Sequence, residues 1–168
     1  KILFVIPELR PLFNNNDRTL TQAPGHPHVG IAYLVSFLRQ YGIEVKAFDQ
    51  GLENDDEKLY GLVRSFQPDL IGVTTFSYCY PFAYLTVTKL KQRFSCPIVL
   101  GGPHVSAVRK NVLRESVVDL AINGEAEDTF LELLQELENK EPDLGKINGL
   151  IWRNQDGEII ENPARPYI

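Results

Sequence analysis

The residues best suited to receive another molecule lie in Pro97-Ile98-Val99-Leu100-Gly101-Gly102-Pro103-His104, where an apolar run stops at two glycines, a proline and a histidine. Residues without side chains at the carboxyl end of a strand let a ligand approach the backbone closely. A second set is Thr74-Thr75-Phe76-Ser77-Tyr78-Cys79-Tyr80-Pro81. Its small hydroxyls offer hydrogen bonds to a polar group, and its aromatics can flank a flat ring or serve as core under a following helix. A third is Asn123-Gly124-Glu125-Ala126-Glu127-Asp128, whose acidic residues also suit the positive end of a helix. His26 and His28 precede Gly30, and His104 adjoins the double glycine. For Gly101 to Ser106 the plainer alternative is a tight turn and a helix capped at Ser106.

Five short apolar runs must position these loops: Ile2–Ile6, Val45–Phe48, Leu70–Thr74, Ile98–Leu100 and Leu120–Ile122. They are continuous rather than alternating, as strands covered on both faces are. Between them the spacing turns helical, with stripes Ile31, Leu34, Val35, Leu38, then Leu59, Leu62, Val63, Phe66, and later Phe130, Leu133, Leu134, Leu137. Further helices are expected over Phe82–Phe94 and, shorter, over Val108–Glu115. Gly42 suits a left-handed helix end, Asn54 or Asp55 an N-cap, and Pro68 a stop. Right-handed crossovers fold this alternation into a doubly wound, five-stranded parallel sheet, Rossmann-like with flavodoxin-like order 2-1-3-4-5. Its ligand crevice lies between the ends of strands one and three.

After Lys140 the pattern predicts a β-hairpin, Gly149–Arg153 and Glu158–Glu161 around the turn Asn154-Gln155-Asp156-Gly157, with Trp152 covering a core edge or a neighbouring domain. The expected organisation is a ligand-binding domain over 1–140 and a hairpin with linker over 141–168. The first connection, Pro7 to Val29, far exceeds the roughly two to six residues usual in such units, which points to a ligand or domain-interface role.

The 168 residues, 43% hydrophobic and 23% charged, suit one globular domain, and the net charge of −5 argues against nucleic acid as partner. No apolar run reaches the about 18 residues that span a bilayer. Cys79 and Cys96 form neither a disulfide framework nor a C-x-x-C site, so reduced thiols and a cytoplasmic location are expected. The absence of Met, with Asn162-Pro163-Ala164-Arg165-Pro166-Tyr167-Ile168 reading as a linker, predicts a piece of a longer polypeptide. The familiar catalytic strings are missing. Pro7-Glu8-Leu9-Arg10-Pro11 stands where a dinucleotide site needs G-x-G-x-x-G. No P-loop, G-x-S-x-G elbow or H-E-x-x-H helix occurs, and Thr74-Thr75 stands where a receiver domain has its aspartate.

Taken together, the residues resemble the amino-terminal cobalamin-binding domain of radical S-adenosylmethionine enzymes. The likeness rests on Lys1 to Pro7, on Pro27-His28-Val29-Gly30-Ile31-Ala32-Tyr33-Leu34 leading to Leu38-Arg39-Gln40-Tyr41-Gly42, and on Pro68-Asp69-Leu70-Ile71-Gly72-Val73. It continues through Gly101 to Ala107, Gly124-Glu125-Ala126-Glu127 and the closing hairpin and linker. The resemblance implies a corrinoid at the rim of the sheet, its nucleotide tail in a slot. Gly101 and Gly102 would form the mouth, with Pro103 and His104 beside it, and Thr74, Thr75 and Ser77 would bond polar atoms. Tyr78, and Pro27, His28, Val29 and Gly30 of the first loop, join this set, with Gly124 and Glu125 near the tail from the other side. Related domains carry D-x-H-x-x-G with a cobalt-ligating histidine. Counted back from Gly30, those positions hold Gly25 and Pro27, so cobalt is expected without an axial histidine, although His26 and His28 flank the place. No C-x3-C-x2-C cluster motif occurs, so the resemblance puts S-adenosylmethionine and an iron–sulfur cluster in a downstream radical domain of the same polypeptide. The reaction it implies is methyl transfer or radical ring formation there. A cofactor-free interaction domain of the same fold and a Rossmann-like glycosyltransferase lobe are the alternatives.

Overall fold

In the computed structural model, which describes residues 1–8, 28–53 and 55–166, seven strands form one sheet in the order β2-β1-β3-β4-β5-β6-β7. These are β1 (Ile2–Ile6), β2 (Val45–Asp49), β3 (Leu70–Thr74), β4 (Ile98–Gly101), β5 (Leu120–Ile122), β6 (Leu150–Arg153) and β7 (Ile159–Glu161). The first five are parallel in the expected 2-1-3-4-5 order. The hairpin β6–β7 continues the sheet, β6 lying antiparallel to β5.

Successive side chains of a strand point to opposite faces, so the continuous apolar runs feed two cores. On one face Ile2, Phe4, Ile6, Leu70, Val99, Ile122 and Leu150 meet α1 (Val29–Gln40) and α6 (Glu127–Leu137). On the other, Leu3, Val5, Ile71, Val73, Ile98 and Leu100 meet α2 (Asp56–Phe66), α3 (Tyr80–Lys91), α4 (Pro103–Val108) and α5 (Asn111–Glu115). The three expected helical stripes supply Ile31, Leu34 and Leu38, then Leu59, Val63 and Phe66, then Phe130 and Leu133 to these cores.

Helix ends follow local chemistry. Asp55 caps α2 by accepting from Glu57 N at 2.9 Å and Lys58 N at 3.3 Å; Asn54 lies outside the described residues. Gly42 ends α1 in the left-handed region at φ 76°. Three expectations need correction. α3 starts at Tyr80 rather than Phe82 and ends at Lys91 rather than Phe94. The short helix expected over Val108–Glu115 is α5, which starts only at Asn111, and a separate helix, α4, precedes it, the two parted at Arg109, whose φ is 55°. Ser106 is no cap: α4 starts at Pro103, whose fixed φ suits a first helical turn, with Gly102 before it. The Ser106 hydroxyl instead accepts the Gly124 N–H at 3.2 Å, bracing the fourth rim loop against the fifth.

Candidate functional site

A cleft of about 310 Å³ opens between α1 and α6 at the carboxyl ends of β3 and β4. That volume is at the lower end of the roughly 300–1,000 Å³ of small-molecule sites. Register explains its place. Phe4 pairs with Gly72 across β1–β3, and Thr74 with Gly101 across β3–β4, all on the sheet face that α1 and α6 cover. Two of these four positions carry no side chain, so the face is emptied toward the rim. Ile31 and Leu34 of α1 and Phe130 of α6 close the flanks, and Phe130 meets the Phe4 ring edge-on at 5.2 Å.

The glycines of the cleft serve different ends. A Cβ at Gly72 would stand 2.6 Å from the Phe4 ring, so its hydrogen lets that ring lie across the strand as a floor. Gly102, at φ 99°, packs its Cα against the β3 loop, and a Cβ there would meet Thr75 O at 2.8 Å. Gly124 holds a φ of 87° in a turn. Gly101 has neither reason: its φ lies outside the left-handed region, and a Cβ would meet nothing within 4 Å. The space beside Gly101 is open.

Few polar groups face this apolar space. His28 caps α1 through Nδ1, which accepts the Ile31 N–H at 3.3 Å. The ring's proton therefore sits on Nε2, 3.4 Å from Thr74 Oγ1, which accepts it. Burial pushes the His28 pKa below its ordinary value, keeping the imidazole neutral. Across the cleft Glu127 holds Oε2 buried and without a hydrogen-bond partner among the described residues. Such an orphaned oxygen calls for a donor from outside.

Of the residues singled out in the sequence, the cleft gathers His28, Gly30, Thr74, Gly101, Gly102, Pro103, Gly124 and Glu125. Others stand apart. Val29 is 76% and Tyr78 61% exposed, Tyr78 stacking on Phe76 at 5.6 Å. Thr75 is buried and donates its hydroxyl hydrogen to Phe76 O at 3.1 Å. Ser77 Oγ meets His104 Nδ1 at 3.1 Å, and the His104 ring stacks on Tyr80 at 4.2 Å, so both shape the β3 loop instead of lining the cleft. Pro27, His26 and most of the long first connection lie outside the described residues. Sequence reasoning did not single out Phe4 or Gly72 as site residues, named Phe76 and Glu127 only within their loops, and treated Ile31, Leu34 and Phe130 as core alone. The available signal was parity: Phe4, Gly72, Thr74 and Gly101 occupy one face.

No cluster of three or more His, Cys, Asp or Glu suited to a metal exists among the described residues. Cys79 is buried, and burial pushes the Cys96 thiol up to about 11, which keeps Cys96 a protonated thiol. A larger groove, about 450 Å³, lies at the opposite edge around Pro97, Val117 and Asp119. Its carboxylate is already engaged by Lys91 Nζ at 2.9 Å and Ile98 N at 2.8 Å, which makes it a strand brace.

An open, mostly parallel α/β sheet with an apolar cleft at its carboxyl edge defines the class as a Rossmann-like ligand-binding domain. The B12 binding domain family model matches residues 19–134, and the chain belongs to that family. It is 34% identical over 147 residues to an uncharacterized methyltransferase of Pyrococcus horikoshii, covering 84% of this chain and 31% of that protein. It is 26% identical over 148 residues to the anaerobic magnesium-protoporphyrin IX monomethyl ester cyclase of Rubrivivax gelatinosus, covering 84% of this chain and 27% of the cyclase. The chain thus spans less than a third of the length of these relatives. Its fold is shared by the radical S-adenosylmethionine methyltransferase TsrM from Kitasatospora setae, solved with cobalamin and a [4Fe-4S] cluster bound. The TM-score is 0.76 at 21% identity, over 97% of this chain and 28% of TsrM. No helix among the described residues is long and apolar enough to cross a membrane.

Proposed function

We propose that this chain holds cobalamin at the carboxyl edge of its sheet, the nucleotide tail in the α1–α6 cleft, for methyl transfer or radical ring formation by an adjoining catalytic region. The observation that carries this reading is Gly101, where neither backbone conformation nor a neighbour explains the missing side chain. The cleft volume suits the planar base of the tail and is far too small for the corrin disk, which belongs on the rim. Phe4, Ile31, Leu34 and Phe130 offer that base an apolar surface, and the orphaned Glu127 oxygen accepts from the tail's hydroxyl or amide donors.

When bound, cobalamin supplies a metal centre that accepts and passes on one-carbon groups or electrons. The chain's own residues bind and orient it. The exposed Tyr78, stacked on Phe76 beside His28, offers the disk an aromatic edge. His28 spends Nδ1 on the α1 cap and Nε2 on Thr74, so it has no nitrogen left for cobalt. This supports a cobalt centre that His28 does not ligate.

Equilibrium dialysis of the chain against hydroxocobalamin and against a cobinamide, which lacks the nucleotide, tests the reading. The expected result is stoichiometric retention of the first and far weaker retention of the second. Equal retention of both, or of neither, overturns the slot. An electron paramagnetic resonance spectrum of the cobalt(II) form is expected to lack splitting from a protein nitrogen, and such splitting would contradict the histidine-free centre.

A further inference from the structure

Inside a cleft walled by Phe4, Ile31, Leu34 and Phe130, a polar group left unpaired beneath an apolar ligand is costly. The polar side chains of this cleft therefore decide which ligand it suits. His28 commits both ring nitrogens, Nδ1 to the Ile31 N–H and Nε2 to Thr74 Oγ1. Thr74, in accepting that proton, keeps its own hydroxyl hydrogen to donate. It is buried at the end of β3, paired with Gly101 and so beside the open space. From the α6 wall Glu127 contributes Oε2, buried and without a hydrogen-bond partner among the described residues. Glu125, also on the lining, is exposed to solvent, so a ligand gains little by pairing with it. The buried side-chain groups left to a ligand are thus a hydroxyl donor and a carboxylate acceptor.

Their placement matters as much as their kind. Glu127 and Phe130 stand three apart on α6, a spacing that makes side chains neighbours, roughly 5–6 Å between Cβ atoms. A flat ring lying against Phe130 therefore turns its edge toward the Glu127 carboxylate. Corrinoids differ in the base that ends their nucleotide tail. A neutral benzimidazole brings a ring nitrogen that accepts and no N–H that donates. It satisfies Thr74 and seals the Glu127 oxygen under an apolar edge. An amino-purine brings ring acceptors and an exocyclic N–H donor, and it satisfies both. Sites built to pair a ligand N–H discriminate against analogues that lack it, because the buried partner is then orphaned.

We infer that Glu127 is a specificity-determining residue that selects corrinoids whose tail base carries an amino donor. The inference rests on the cofactor reading and goes beyond it in naming the chemistry of the tail. The sugar hydroxyls of the tail are the rival donors, and being common to these corrinoids they would confer affinity without selectivity.

Equilibrium dialysis of the chain against three corrinoids that differ only in the base, adenine, unsubstituted purine or dimethylbenzimidazole, separates the two. Wild type is expected to bind the adenine form roughly tenfold to a hundredfold tighter than either of the others, the range one orphaned buried acceptor costs. Glu127→Leu is expected to abolish that preference, the adenine form falling to the level of the purine form while the benzimidazole form holds its affinity. Glu127→Gln keeps a carbonyl oxygen and is expected to retain part of the preference. Equal affinities of wild type for the adenine and purine forms overturn the inference alone, as does an equal loss of all three corrinoids in Glu127→Leu. A wild type that retains none of the three overturns the cofactor reading and this inference with it.

Discussion

Gly101 and Gly102 are adjacent and chemically identical, yet the structure assigns them opposite consequences. Substituting Gly102 forces a side chain into a φ of 99° and against Thr75 O, so Gly102→Ala is expected to lose roughly 1–3 kcal/mol in a urea titration, with or without ligand. Gly101→Leu projects into open space, so its unfolding midpoint should stay near wild type while ligand binding fails. Gly72→Ala overpacks the Phe4 ring and is expected to cost roughly 1–3 kcal/mol by the same measurement. His28 carries a pH prediction. Its folded pKa lies below the ordinary 6.5, so as pH falls through 6.5 the unfolded chain takes the proton before the folded one and stability declines. His28→Asn keeps an oxygen acceptor for the α1 cap and removes the titration. The fall in thermal midpoint between pH 7.5 and pH 5 should therefore be smaller in the variant, and an equal fall would show that His28 is not its source.

Among the elements, α6 is latched at its far end by Glu136, which accepts from Lys146 Nζ at 2.5 Å and from Asp143 N at 2.9 Å. The Lys146 hydrogen bond, ahead of the Asp143 and Asn139 contacts, holds the Glu136 carboxyl down to about 2, against an ordinary 4.5. This contribution is complete above pH 4.5 and drains away as pH falls toward 2. Glu136→Gln is expected to lose less stability than wild type between pH 5 and pH 3 in urea melts, and identical losses would refute the latch. The strands, their order and the three amphipathic stripes were legible because burial writes a period into the sequence. The start of α4 was misread because Pro103 at a first helical position looks like a turn until the backbone is seen. The cleft was half legible. Its glycines and Thr74 announce themselves at strand ends, whereas Phe4, Ile31, Leu34 and Phe130 have the composition of ordinary core. They become walls only because Gly101 leaves the face open and Gly72 lets the Phe4 ring lie as its floor.

At the scale of the molecule, strand order and cleft converge on one edge. The switch in chain direction between β1 and β3 puts α1 on one face and α2 and α3 on the other, and α6 returns to the α1 side. The crevice they leave is where an α/β sheet takes its ligand. Membership of the B12 binding family gives that ligand a chemistry. The most direct test mixes the chain with hydroxocobalamin, desalts it, and records the visible spectrum of wild type and Gly101→Leu. Wild type should keep one corrinoid per chain, and the variant, folded to the same circular dichroism spectrum, should emerge colourless. A colourless wild type, or a variant that keeps its full complement of corrinoid, would contradict the account.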